Sequence, residues 1–124
     1  MSSKRVIHTT AASAPLKGIY SQAIVANKTV YCSGCIATDP TTGQVIEGDI
    51  AAHTNLTAVL EAAGTTIEHV VKVNVFLADM EDFAAMNEVY RLYWGENKPC
   101  RTCVAVKQLP LGTDVEIECI AVLP

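Results

Sequence analysis

The residues with the most chemical potential lie in the last quarter of the chain. Arg101, Cys103 and Glu118 sit among apolar neighbours in Pro99-Cys100-Arg101-Thr102-Cys103-Val104-Ala105-Val106 and Asp114-Val115-Glu116-Ile117-Glu118-Cys119-Ile120-Ala121-Val122. Both stretches alternate residue by residue, the period of a half-buried strand. A charge in such a setting is costly unless it is paired or used. The Leu109-Pro110-Leu111-Gly112 connection predicts a β-hairpin with Cys103 roughly opposite Glu118, and strand parity then brings Arg101, Cys103 and Glu118 onto one face. A guanidinium there can grip a carboxylate through parallel donors, and a glutamate can accept a hydrogen bond or act as general acid/base. The same pair could serve as a structural ion bridge, and residue types alone leave both readings open.

Five cysteines invite a metal hypothesis, because Cys32-x-x-Cys35 and Cys100-x-x-Cys103 have zinc-ligand spacing. Both pairs fall in strand patterns, where residues three apart point to opposite faces, and Arg101 would set a cation beside the metal. Ordinary small thiols are the better reading, so neither a metal nor a disulfide is expected. His8, His53 and His69 are scattered without ligand or catalytic spacing. No Gly-x-Gly-x-x-Gly, phosphate-binding loop or Gly-x-Ser-x-Gly elbow is present, so no cofactor is expected.

The elements that must carry these residues read in order. Strands are predicted over Arg5 to Thr9, Gln22 to Ala26 and Thr29 to Gly34, the last two joined by a turn at Asn27 and Lys28. Asp39-Pro40-Thr41-Thr42-Gly43 is a turn cluster. Asp49 suits the N-cap of a helix through Ala63, with an apolar stripe of Ile50, Leu56, Val59, Leu60 and Ala63 and a stop at Gly64. Val71, Val73, Val75 and Leu77 alternate with polar or aromatic partners in a further strand. Asp79 then caps a second helix whose Phe83, Met86, Tyr90, Tyr93 and Trp94 run to Gly95, a stripe that usually means core. The order β-β-β-α-β-α-β-β predicts an α+β domain spanning residues 1–124, with two helices on one face of a single mixed sheet.

Composition bounds the partners. Hydrophobic residues make up 50% of the 124 and charged residues 18%, with a mean hydropathy of +0.27, which leaves little polar material to cover a lone small domain. An oligomer that buries part of this surface is expected. Nine basic against thirteen acidic residues give a net charge of −4 without any basic run, which disfavours nucleic acid as a primary partner. No apolar run approaches a membrane span. The first acidic residue is Asp39, and Lys4, Arg5 and several hydroxyl residues give a faint transit-peptide composition. The expectation is cytoplasmic, with the mitochondrial matrix as the alternative.

Pro-x-Arg-x-Cys, a Pro/Gly loop and Val-Glu-Ile-Glu-x-Ile-Ala-Val together resemble the signature of the reactive intermediate deaminase (RidA/YjgF) family. Further blocks fall in that family's order: Tyr20-Ser21-Gln22-Ala23, Ser33-Gly34, Asp39-Pro40-x-Thr42-Gly43, residues 58–64 (Ala-Val-Leu-Glu-Ala-Ala-Gly), residues 71–77 (Val-Lys-Val-Asn-Val-Phe-Leu) and Asp82-Phe83-Ala84-x-x-Asn87-x-x-Tyr90. The resemblance implies a chorismate-mutase-like subunit that trimerises, with sites in clefts between subunits. It implies hydrolysis of reactive enamine and imine acids (2-aminoacrylate, 2-iminopropanoate, 2-iminobutanoate) to 2-oxo acids and ammonia. Arg101 would clamp the substrate carboxylate, helped by the backbone N–H of Cys103. Glu118 would handle water and protons, and Tyr20, Ser33 and Asn87 would line the pocket. Three departures from the pattern, Ile19, Cys35 and Cys100, bear on how the Tyr20 loop is held and on the pocket rim. The rival readings are a ligand-sensing or chaperone-like homotrimer and, more weakly, an endoribonuclease or translation inhibitor.

Overall fold

The computed structural model describes residues 3–124, so the first two residues of the expected domain lie outside it. Six strands form one sheet: β1 (Arg5–Ile7), β2 (Ala23–Ala26), β3 (Thr29–Ile36), β4 (Val70–Leu77), β5 (Cys100–Ala105) and β6 (Val115–Val122). Two helices, α1 (Ile50–Ala63) and α2 (Phe83–Tyr90), complete the α+β architecture. The spatial order is β1-β2-β3-β6-β4-β5, antiparallel throughout except for the parallel pair β4 and β5.

The closing hairpin predicted from sequence does not form. The crossover through α2 brings β5 back parallel to β4, as a strand-helix-strand unit does, and so fills one edge of β4. β6 must then take the other edge, where it pairs antiparallel with both β4 and β3. Residues 106–114 therefore step over a strand, a gap of roughly 9–10 Å between next-nearest strands. They do so through a turn at Pro110–Gly112 with Leu111 in a left-handed conformation, φ 57°.

Local signals explain the remaining elements. Asn27 and Lys28 both take positive φ (50° and 61°), the backbone that a two-residue hairpin loop needs to match strand twist. Leu56, Val59, Leu60 and Ala63 of α1 are buried against the sheet, whereas Ile50 at its start is exposed. Gly64 ends the helix at φ 94°, donating to the Glu61 carbonyl. Asp49 occupies the N-cap position of α1 but makes no side-chain cap there. Asp79 does cap, though a tighter turn over Met80–Asp82 rather than α2 itself, by accepting from the Glu81 N–H at 2.9 Å.

Helix α2 also ends earlier than the aromatic stripe suggests. Trp94 (φ 81°) and Gly95 (φ 75°) are both left-handed, so the chain has left the helix before them. The Lys98 ammonium covers the exit by donating to the carbonyls of Arg91 (2.9 Å) and Tyr93 (2.8 Å). Met86, Tyr90 and Trp94 are core all the same, and Tyr90 and Trp94 surround the buried His53 of α1, whose ring stacks on Tyr93 at 4.3 Å. Among the described residues no helix covers the opposite sheet face. There Val6, Tyr31 and Val104 stand exposed beside half-buried Ile24 and Ile120.

Candidate functional site

Sheet parity divides the predicted site residues into two groups. Arg101 pairs with Val73, which pairs with Cys119, and Cys103 pairs with Val75, which pairs with Ile117. These strand neighbours are all buried on the helix side. Glu118 instead shares a row with Asn74 and Thr102, on the face that carries no helix. The expected single face for Arg101, Cys103 and Glu118 is thus overturned. Inserting β4 between the two strands replaces the Cys103 to Glu118 pairing by a three-strand register one residue out of step.

On the helix side, Arg101 is half-buried and its Nη1 donates to Asn87 Oδ1 at 2.7 Å. Its guanidinium carbon lies 4.6 Å from the centre of the Tyr90 ring and 5.6 Å from that of Phe83, within cation–π range. Phe83, Asn87 and Tyr90 stand at i, i+4 and i+7 on α2, so one helix face builds the whole cradle. Among the described residues Arg101 has no carboxylate partner, the one ion pair being Arg91 with Glu88 on the surface. The structural ion pair between Arg101 and Glu118 therefore does not exist within the chain. Half-burial without a counter-charge leaves the guanidinium fork with donors to spare. Burial pushes the Tyr90 phenol up to about 12 despite the opposing pull of Arg101, so the ring faces the cation as a neutral phenol.

On the other side, Tyr20, Ser33 and Glu118 line a cleft of about 780 Å³, together with Glu116, Cys35, the Asp39 turn and an apolar rim that includes Leu16 and Leu111. Asn74 Nδ2 donates to Glu118 Oε1 at 3.0 Å, which fixes that carboxylate. A register shift in β3 between Cys32 and Cys35 lifts Ser33 and Gly34 out of regular pairing. Ser33 is locked there, its N–H donating to the Gln22 carbonyl at 3.0 Å and its hydroxyl to the Ser21 carbonyl at 2.6 Å. With its proton committed, the Ser33 hydroxyl presents acceptor lone pairs to the cleft. Gly34 is required by contact: a Cβ on it would lie 2.7 Å from the Glu116 carboxyl carbon. Tyr20 is exposed at the mouth, on a turn whose N–H bonds return to the Leu16 carbonyl, and the neighbouring Ile19 is 75% exposed.

The family model described as Endoribonuclease L-PSP matches residues 10–123. The chain belongs to this family, also called RidA/YjgF. A RutC family protein of Pyrococcus horikoshii is 49% identical over 123 residues, covering 95% of this chain and 97% of the relative. The 2-iminobutanoate/2-iminopropanoate deaminase of Rattus norvegicus is 44% identical over 124 residues, 96% of this chain and 90% of the relative. Among solved structures, RidA from the Antarctic bacterium Psychrobacter sp. superposes with a TM-score of 0.90 at 42% identity, covering 96% of this chain and 99% of that one.

In this RidA/YjgF chain the two Cys-x-x-Cys pairs sit on β3 and β5, separated by β6 and β4, and so cannot make one four-cysteine site. Burial, then the neighbouring Cys32 and Glu116, push the Cys35 thiol up to about 12. It is therefore a neutral thiol at physiological pH, poorly suited to nucleophilic attack or metal binding. Cys100 donates its S–H to the Val71 carbonyl at 3.1 Å. Sequence reasoning passed over Asn74, Glu116, Phe83 and Tyr90. The helical spacing of Phe83 and Tyr90 around Asn87 was a readable signal, whereas the contact between Asn74 and Glu118 depends on which strand lies beside β6.

Proposed function

We propose that this protein hydrolyses 2-imino acids and their enamine tautomers, including 2-aminoacrylate, 2-iminopropanoate and 2-iminobutanoate, to 2-oxo acids and ammonia. The observation that carries the reading is the half-buried Arg101, cradled by Asn87, Tyr90 and Phe83, with no carboxylate of its own. A guanidinium so prepared is suited to a small carboxylate ligand held through two parallel bonds, with the Cys103 N–H assisting. Glu118, oriented by Asn74, orders the attacking water and accepts its proton. Tyr20 and the acceptor face of Ser33 contact the imine nitrogen and the side chain of the substrate.

Because the Arg101 group and the Glu118 group occupy opposite faces of one sheet, a single chain offers two half-sites. We infer that a second copy completes each site, one subunit giving Asn87, Arg101 and Cys103 and the other Tyr20, Ser33 and Glu118. The uncovered face with Val6, Tyr31 and Val104 supplies apolar surface for that association, and the family resemblance suggests a trimer. Relatives named for endoribonuclease activity suggest RNA as the competing substrate. The charge of the site argues against it: among the described residues neither lysine, arginine nor histidine lines the cleft, and the single Arg101 from the other half-site is one cation where a phosphate backbone calls for several. The test generates 2-aminoacrylate in situ with an amino-acid dehydratase and follows the imine's lifetime with and without the protein, beside an incubation with single-stranded RNA. A shortened imine lifetime with intact RNA is expected; an unchanged lifetime would refute the reading.

A further inference from the structure

Residues 8–22 link β1 to β2 without helix or strand, and so long a connection in a small domain is commonly functional. Ser13, Ala14, Leu16 and Tyr20 bring this loop along the cleft. Its base is closed by the buried Gln22, whose Oε1 accepts from the Thr9 N–H at 2.8 Å and whose Nε2 donates to the carbonyls of Thr9 (3.0 Å) and Ser13 (2.9 Å). Its far end is held at Ser21, whose carbonyl accepts from the Ser33 hydroxyl. Between these points, among the described residues, residues 14–20 make no hydrogen bond outside their own segment. Ile19 and Tyr20 donate only to the Leu16 carbonyl, at 3.0 and 3.4 Å.

The start of that free span is fixed by a second contact at Ser13. Its Oγ accepts from Asn55 Nδ2 at 3.0 Å, donates to the Thr38 carbonyl at 3.3 Å, and meets the Thr38 hydroxyl with its remaining lone pair. Asn55 reaches in from α1, is 2% exposed, and also donates to the carbonyls of Ile36 (3.1 Å) and Thr38 (2.9 Å). Ile36 ends β3, and Thr38 precedes the Asp39 turn, so both belong to a part of the cleft lining remote in sequence from the loop. One hydroxyl ties the two parts together and to the helix.

We propose that Ser13 is a positioning residue: its hydroxyl clasps residues 14–20 to Thr38 and Asn55 and so holds Tyr20 and Leu16 in place around the substrate. What the cleft holds rests on the deaminase reading; the clasp is a property of the fold. The donor and both lone pairs of Ser13 are turned to Asn55 and Thr38, which leaves none for the substrate, so the residue acts through Tyr20. The same geometry separates positioning from folding. The Asn55 amide has two hydrogens for three acceptors, and without Ser13 Oγ the Ile36 and Thr38 carbonyls keep one each. Removing the Ser13 hydroxyl releases only that of Thr38 and strips no core carbonyl of its donor. A loop freed in this way spends more time open, and the apparent affinity for ligand falls with the fraction of chains still closed. A neutral hydrogen bond shifts such an equilibrium by a factor of about 3 to 10.

Ser13→Ala tests the clasp on three readouts. Its thermal unfolding midpoint should match wild type. Lys17 is exposed in the middle of the free span, so trypsin cleavage between Lys17 and Gly18, followed by mass spectrometry, reads how often the loop opens. That cleavage should be about 3 to 10 times faster in Ser13→Ala, and 2-oxobutanoate should slow it in the wild type. Binding of 2-oxobutanoate should weaken, and KM for the imine generated in situ should rise, by the same factor with kcat unchanged. Ser13→Thr, which keeps the hydroxyl, should restore all of these. Cleavage of Ser13→Ala no faster than wild type, or a fall in kcat at unchanged KM, would overturn the clasp while leaving the deaminase reading intact. A wild-type protein that leaves the imine's lifetime unchanged would overturn the deaminase reading and, with it, the positioning role, whatever trypsin shows.

Discussion

Replacing Arg101 by lysine separates a carboxylate clamp from a mere positive charge. In the wild type one terminal nitrogen is engaged by Asn87 at 2.7 Å, while Nη2 and Nε remain to meet two carboxylate oxygens side by side. A lysine ammonium is a point charge: it can satisfy Asn87 or the ligand, not both with parallel geometry. The loss is one charge-assisted hydrogen bond, about 1.5–3 kcal/mol. The contacts with Tyr90 at 4.6 Å and Phe83 at 5.6 Å also weaken, a further roughly 0.5–1 kcal/mol. Together these predict that Arg101→Lys binds 2-oxobutanoate about 30-fold to 1000-fold more weakly, since each 1.4 kcal/mol or so is a factor of ten. Titration calorimetry measures this directly, and the coupled imine assay should show a matching fall in kcat/KM. Binding within about threefold of wild type would mean that the guanidinium is not the clamp, whatever the charge at that position does.

Glu118→Gln preserves the shape of the side chain and its contact with Asn74, so 2-oxo acid binding should survive while turnover drops by about 100-fold, until the uncatalysed hydrolysis of the imine is all that remains. Light scattering at micromolar concentration should give about three times 13.3 kDa, and a monomer would refute the shared site. Gly34→Ala should displace the Glu116 carboxyl, with which the new methyl would collide at 2.7 Å, and depress turnover more than thermal stability. Burial holds the His53 imidazole below its ordinary range, so the unfolded chain takes up the proton first as pH falls. Stability should therefore be full above about pH 6.5 and decline below it, and urea denaturation of His53→Gln should show that decline flattened.

Most strands and helices, and most of what they bury, were legible in the residue pattern alone. Period-two alternation in Val71 to Leu77 and Val115 to Val122, the helical stripe of Leu56, Val59 and Leu60, and the stops at Gly64 and Asn27-Lys28 are local signals, and short-range sterics and amphipathicity act on them wherever the strand ends up. The ordered blocks from Tyr20 to Ala121 likewise sufficed to name the family. Helix ends were less legible, since the exit of α2 before Trp94 depends on Lys98 reaching back to two carbonyls. Which strand lies beside which was not legible there. A strand's alternation states that its residues face two ways, but not which face belongs with which face of another strand. That relation is set by the register of the intervening β4, whose parallel pairing with β5 follows from the helical crossover through α2. One inserted strand sends Arg101 to the helices and Glu118 to the open cleft, which turns an expected pair within one chain into two half-sites.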